Sequence, residues 1–189
     1  MIYTLDNLPE RKKPNIDELN EVARSRLFCV EELKLTFSNG ERRVYERLKA
    51  GGSGAVLILP VTSNNDVLFI REYAAGIDRY ELALPKGLVD QGETPIEAAN
   101  RELKEEVGFG SGKLTELKKV SLAPGYLSHT MTIVLAEDLY PEKLVGDEPE
   151  EIDVISVPIS EIKTLIHNDI LTEARSIAAL YLMLDKVNG

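Results

Sequence analysis

Three glutamates, Glu102, Glu105 and Glu106, carry the strongest chemical signal in this sequence. On an α-helix, at about 100° per residue, they fall within one sector of about 100°. Like charges three and four residues apart repel one another, so something positive is expected beside them. Hard oxygen ligands on a rigid helix suit Mg²⁺ or Mn²⁺, whereas zinc recruits Cys or His. The chain offers one Cys and two His. Gly87 stands six residues before Glu93 in a loop entering the helix, where a backbone carbonyl can approach a metal and a missing Cβ helps. The competing reading is a solvated acidic face with Arg101 and Lys104 as counter-charges.

The helix that must position these carboxylates is well signalled. Thr94 is a good N-cap, Pro95 suits the first helical position, and Glu97 completes a capping box with Thr94. Gly108 supplies the terminating residue. Ile96, Ala99, Leu103 and Val107 recur at spacings of three and four and make a core-facing stripe.

Around this helix the chain alternates strands with a few helices, as an α+β protein or a three-layer α/β sandwich does. Residues 1 to about 24 are polar, carry Pro9 and Pro14, and read as an extended arm with at most a short helix. Phe28–Phe37 and Arg42–Leu48 flank Asn39-Gly40 and read as a β-hairpin with a type I′ turn. Gly51-Gly52-Ser53-Gly54 then divides the chain, with the arm and hairpin in 1–50 and a catalytic domain in 51–189. Further strands are expected at 55–61, 67–70, 81–84, 114–122, 131–136 and 152–157, and closing helices at 160–167 and 172–187.

Composition bounds the function. With 189 residues, 43% apolar and 29% charged, the chain has the makings of one ordinary catalytic unit. A formal net charge of −10 argues against a general nucleic-acid or anionic-membrane surface. Cys29 is the sole cysteine and can form no intrachain disulfide, no stretch approaches the ~20 apolar residues of a membrane span, and residues 1–15 lack the apolar core of a signal peptide. A cytoplasmic address is the expectation.

Gly87, Glu93, Arg101, Glu102, Leu103, Glu105, Glu106, Gly108 and Phe109 match the pattern G-x5-E-x7-R-E-U-x-E-E-x-G-U, with U a bulky apolar residue. The segment resembles the Nudix box. That resemblance implies the Nudix α/β/α sandwich with a mixed sheet, in which the box forms a loop–helix–loop that binds divalent cations. It also implies Glu102 and Glu106 as principal metal ligands, Glu105 as a further ligand or water-orienting group, and the Lys86 carbonyl as a backbone ligand. Arg101 and Glu93 read as a structural pair. The general base in this family can lie on a loop before a late strand. The run Gly146–Glu151 fits that place, with Glu148 the first candidate and Glu150 the second, unless the run is only a solvated loop.

Substrate choice must come from outside the box. Pro124-Gly125, fifteen residues beyond Phe109, resembles the post-box loop of ADP-ribose-type members, and reads equally as a plain turn. Ser128-His129-Thr130 stands where an acidic residue is usual there, and Ala74 where an arginine is frequent. Together with residues 22–28, 38–47, 97–110 and 139–150, these features resemble the branch of the family that hydrolyses ADP compounds. The implied reaction is Mg²⁺-dependent cleavage of the diphosphate in ADP-ribose, NADH and diadenosine triphosphate, with release of AMP. Arg47 and Arg71 are candidate phosphate or ribose contacts, and Glu72 and Glu81 candidate base or ribose contacts. The N-terminal hairpin resembles an arm used for homodimer formation, or else packs on its own domain. The alternatives are a strict ADP-ribose pyrophosphatase, a nucleotide-sugar hydrolase, and a module that senses ADP-ribose without cleaving it.

Overall fold

Ala55–Pro60 is buried at all six positions and so must have both faces covered. The computed structural model describes residues 4–188 and shows how. Within Gly51–Leu122 and His129–Gly189, one compact unit, this strand (β4) pairs parallel with Thr130–Pro141 (β9) and antiparallel with Lys86–Leu88 (β7). Phe109–Ser121 (β8) completes a mixed sheet ordered β7-β4-β9-β8. A second, antiparallel sheet runs β10-β5-β6, from Asp153–Pro158 (β10), Asp66–Ala74 (β5) and Arg79–Ala83 (β6).

Alternation along these strands builds two cores. Ala55, Leu57 and Leu59 of β4 join Val67 and Phe69 of β5 and Met131, Ile133 and Leu135 of β9. That core includes Ile162 and Ile166 of Ile159–Ile166 (α2) and Leu180 and Met183 of Ala174–Asn188 (α3). Val56, Ile58, Leu68, Ile70, Val134 and Ala136 point the other way, to Ala98 and Ala99 of Pro95–Glu102 (α1) and to Leu103 and Val107 beyond it. Period-2 strands with helices on opposite faces make the α/β/α sandwich.

The other compact unit comprises Met1–Ala50 with Ala123–Ser128. Here Asn15–Arg24 (β1), Cys29–Thr36 (β2) and Arg42–Leu48 (β3) form an antiparallel sheet ordered β1-β2-β3. The expected hairpin therefore supplies two strands of a three-stranded sheet. The segment expected to be a polar arm supplies the third strand, in which register shifts at 16–18 and 21–23 break the period-2 pattern. The turn also differs from expectation. Gly40 N–H donates to the Phe37 carbonyl at 2.9 Å. Gly40 has φ +83°, while neither Ser38 nor Asn39 has positive φ. A type I′ turn needs positive φ at both central residues, so this is an unprimed turn followed by a left-handed glycine. Pro124 and Gly125 are the central residues of a turn closed by Tyr126 N–H on Ala123 O at 3.0 Å.

Candidate active site

The acidic helix begins as the sequence dictates. Thr94 Oγ1 accepts from Glu97 N–H at 3.2 Å, the Glu97 carboxylate takes the Thr94 N–H at 2.8 Å, and Pro95 opens the helix. After Glu102 the hydrogen bonding widens to a π-turn over Leu103–Val107, closed by Gly108 at φ +81°. The apolar periodicity alone predicts uninterrupted α-helix here. The wider turn buries Glu106 with Leu103 and Val107 while Glu105 stays half-buried.

Arg101 is the positive charge that the crowding demands. Its Nε and Nη2 clamp the two oxygens of Glu93 at 2.9 and 3.0 Å, and Nη2 also reaches Leu88 O at 2.9 Å. Nη1 lies 2.8 Å from Glu102 Oε1 and 3.0 Å from Glu105 Oε2. One guanidinium thus fastens the loop before the helix to two of the three carboxylates. Its hydrogen bonds hold the Glu93 carboxyl below the usual carboxylate range. Among the described residues no three His, Cys, Asp or Glu side chains already converge as a ligand cage.

Gly87 lies directly against the Glu102 carboxylate. A Cβ built there would overlap the Glu102 carboxylate. Glu106 Oε2 accepts the Lys86 N–H at 2.9 Å, and burial pushes this carboxyl up to about 8. Glu102 is raised as well, again by burial. Two buried carboxyls on one helix face form a site whose electrostatics favour a cation. The Lys86 ammonium pairs with Glu72 from β5.

A cleft of about 640 Å³ opens over these groups, lined by Glu72, Lys86, Gly87, Glu102, Glu105 and Glu106 together with Glu148. Glu150 is absent from this lining but lines a second cavity of about 740 Å³ together with Glu105, Glu106 and Glu148. The Glu150 carboxylate accepts from Tyr80 Oη at 2.6 Å. Arg71 donates from Nε and Nη2 to Asp153 Oδ2 at 3.0 and 2.6 Å and lines a small recess beside Glu72 and Glu148. Glu81 is buried on β6, bonded to Thr172 Oγ1 and to Arg79 Nε at 2.9 Å, and is not among the cleft's lining residues. Arg47 belongs to the N-terminal unit, where it and Lys49 pair with buried Glu31 at 2.8 and 3.1 Å. Sequence reasoning alone misses Tyr80. Its partner is 70 residues away, and no local pattern announces such a contact.

A capped helix that presents three glutamates to a cleft, clamped by an arginine and an entry glycine on an α/β/α sandwich, defines a class. The chain belongs to the Nudix hydrolase family and is an enzyme of the pyrophosphohydrolase class, with residues 53–180 matching the NUDIX domain. Residues 14–47 match the NudE-type Nudix hydrolase N-terminal domain. The ADP compounds hydrolase NudE of Escherichia coli (strain K12) is 51% identical over 94% of this chain and 95% of its own length. The ADP-ribose pyrophosphatase of Bacillus subtilis (strain 168) is 30% identical over 82% of this chain and 83% of its own. A crystal structure of an ADP compounds hydrolase superposes with TM-score 0.89 at 49% identity, covering 96% of this chain and 98% of that one. Family members generally need a divalent metal. Among the described residues no helix is long and apolar enough to cross a membrane.

Proposed function

We propose that this enzyme is a Mg²⁺-dependent hydrolase that cuts the diphosphate linkage of ADP-containing compounds, including ADP-ribose, NADH and diadenosine triphosphate, and releases AMP. The observation that carries this reading is the cleft that Glu102, Glu105 and buried Glu106 line together with Glu148. Its donor set fits a hard cation, because the lining contains several carboxylates and neither Cys nor His. The overlap of a Gly87 Cβ with Glu102 is a second fit, since the missing side chain is what leaves that carboxylate its place.

Glu102, Glu105, Glu106 and the Lys86 carbonyl would hold the cation. Once bound, Mg²⁺ supplies charge neutralisation of the diphosphate and makes water more acidic. Glu148 accepts the proton of the attacking water as its oxygen bonds to phosphorus and the bridging P–O bond breaks. Arg101 keeps Glu102 and Glu105 in place rather than touching substrate, because all of its donors are used within the protein. Beside Glu148, Arg71 is assigned to a phosphate or ribose contact and Glu72 to a base or ribose contact. Glu81 is assigned to holding β6 to the segment before α3. We assign the N-terminal sheet to homodimer formation, since it leaves Ile16, Leu19 and Tyr45 exposed.

The similarity to proteins named for ADP compounds and for ADP-ribose supports the substrate class. The test is a panel assay with Mg²⁺ and equal concentrations of ADP-ribose, NADH, diadenosine triphosphate and GDP-mannose. AMP from all three adenine compounds supports the broad reading, AMP from ADP-ribose alone moves the assignment to a strict ADP-ribose pyrophosphatase, and no AMP rejects the class.

A further inference from the structure

The segment Val145–Ile152 has no regular secondary structure, yet it carries Glu148, the group assigned above to proton transfer. It is anchored just outside both ends. Leu144 N–H donates to Lys104 O at 3.1 Å, and Asp153 is held by Arg71 as β10 begins. Between those anchors, among the described residues, a single hydrogen bond ties the segment to the rest of the unit, from Tyr80 Oη to Glu150 Oε1 at 2.6 Å.

Tyr80 is itself well fixed. It stands opposite Tyr73 in the β5–β6 register, with ring centroids 5.9 Å apart in an edge-on arrangement. The Arg71 guanidinium carbon lies 5.9 Å from the Tyr80 ring centroid, so the residue that grips Asp153 also braces the phenol. Glu150 is two positions beyond Glu148, and a Cβ on Gly146 would overlap the Glu148 carboxylate, so the loop backbone lies close around that group.

We infer that Tyr80 is a positioning residue for the hydrolysis: by holding Glu150 it sets the acidic loop so that Glu148 faces the Glu102–Glu105–Glu106 cleft. Glu150 is then a loop anchor and takes no proton from water. This inference rests on the reading of Glu148 as the general base. Loss of the anchor leaves substrate and cation contacts intact while the base spends less time within reach of the water. It therefore acts on kcat more than on KM.

The test compares full-length wild type with Y80F, E150A, E150Q, E148Q and the double variant Y80F/E148Q, using ADP-ribose and Mg²⁺. Tyr80 is half exposed (53%), and removing its hydroxyl leaves the ring packing in place, so Y80F is expected to fold. Y80F and E150A should each lower kcat about tenfold with KM within about twofold. E150Q, whose amide oxygen still accepts from Tyr80, should lose less than E150A. The double variant should be no slower than E148Q, because the anchor has nothing left to position. Additive losses in the double variant, or E150Q falling as far as E150A, would overturn the positioning role. Wild-type kcat in E148Q would overturn the assignment of Glu148 itself, and the inference with it.

Discussion

At the scale of the residue, Arg101 and Gly87 serve the carboxylate face in different ways. Replacing Arg101 by Ala removes five hydrogen bonds and leaves Glu93, Glu102 and Glu105 crowded without their counter-charge. The expected cost is about 2 kcal/mol at neutral pH, read by urea unfolding. The penalty should shrink in acid. Arg101 depresses the folded-state pKa of Glu93, so the stability this pair contributes is present above the unfolded carboxylate pKa. It is lost as pH falls through the folded value. A penalty unchanged down to pH ~3 would show that the guanidinium acts by packing instead. Gly87→Ala separates function from stability. Its φ lies outside the left-handed region, so Ala costs the backbone little, but the new Cβ collides with the end of the flexible Glu102 side chain. Its thermal midpoint should stay within a few degrees of wild type while the Mg²⁺ concentration for half-maximal activity rises by about tenfold. An unchanged Mg²⁺ requirement would remove Glu102 from the ligand set.

At the scale of the element, α1 is the piece most legible in the sequence. Its start is written in adjacent residues, and the Thr94–Glu97 box forms as the spacing demands. Thr94→Ala should therefore destabilise the protein by about 1 kcal/mol in denaturant, and Thr94→Ser much less. Equal losses would mean that the methyl group matters and the cap does not. The turn beyond Glu102 is less legible, because a π-turn arises from a shift in hydrogen-bond partners and α-periodicity cannot encode it. β1 shows the same limit in another form. Ile16, Leu19 and Val22 recur every third residue, and two register shifts reconcile that spacing with a strand. The inner strands read clearly because β4 is buried on both faces and β5 alternates between two cores. The pairing of Tyr80 with Glu150 depends on which strands become neighbours, and nothing in the residues near Tyr80 carries that information.

At the scale of the whole molecule, the N-terminal unit raises the question of its own stability. Among the described residues of that unit only Cys29, Glu31 and Leu33 are buried, and one of these is a charged group. Such a core is too small to hold a three-stranded sheet by itself. Leu33 stands opposite Leu19 and Tyr45 in the register, and Leu35 opposite Ile16, so these side chains share one sheet face. Ile16, Leu19 and Tyr45 are 55%, 45% and 46% exposed, which makes this face an apolar patch in search of a cover. If a second copy supplies the cover, as the homodimer assignment holds, light scattering on the full-length protein should give twice the chain mass. Its thermal midpoint should rise with protein concentration, because the associated state is favoured by mass action. Leu19→Glu places a charge in the centre of the patch and should yield the single-chain mass and a concentration-independent midpoint. A wild-type protein that already has the single-chain mass at every concentration would reject self-association. The cover for Leu33 and Leu19 would then have to come from this chain or from a different partner.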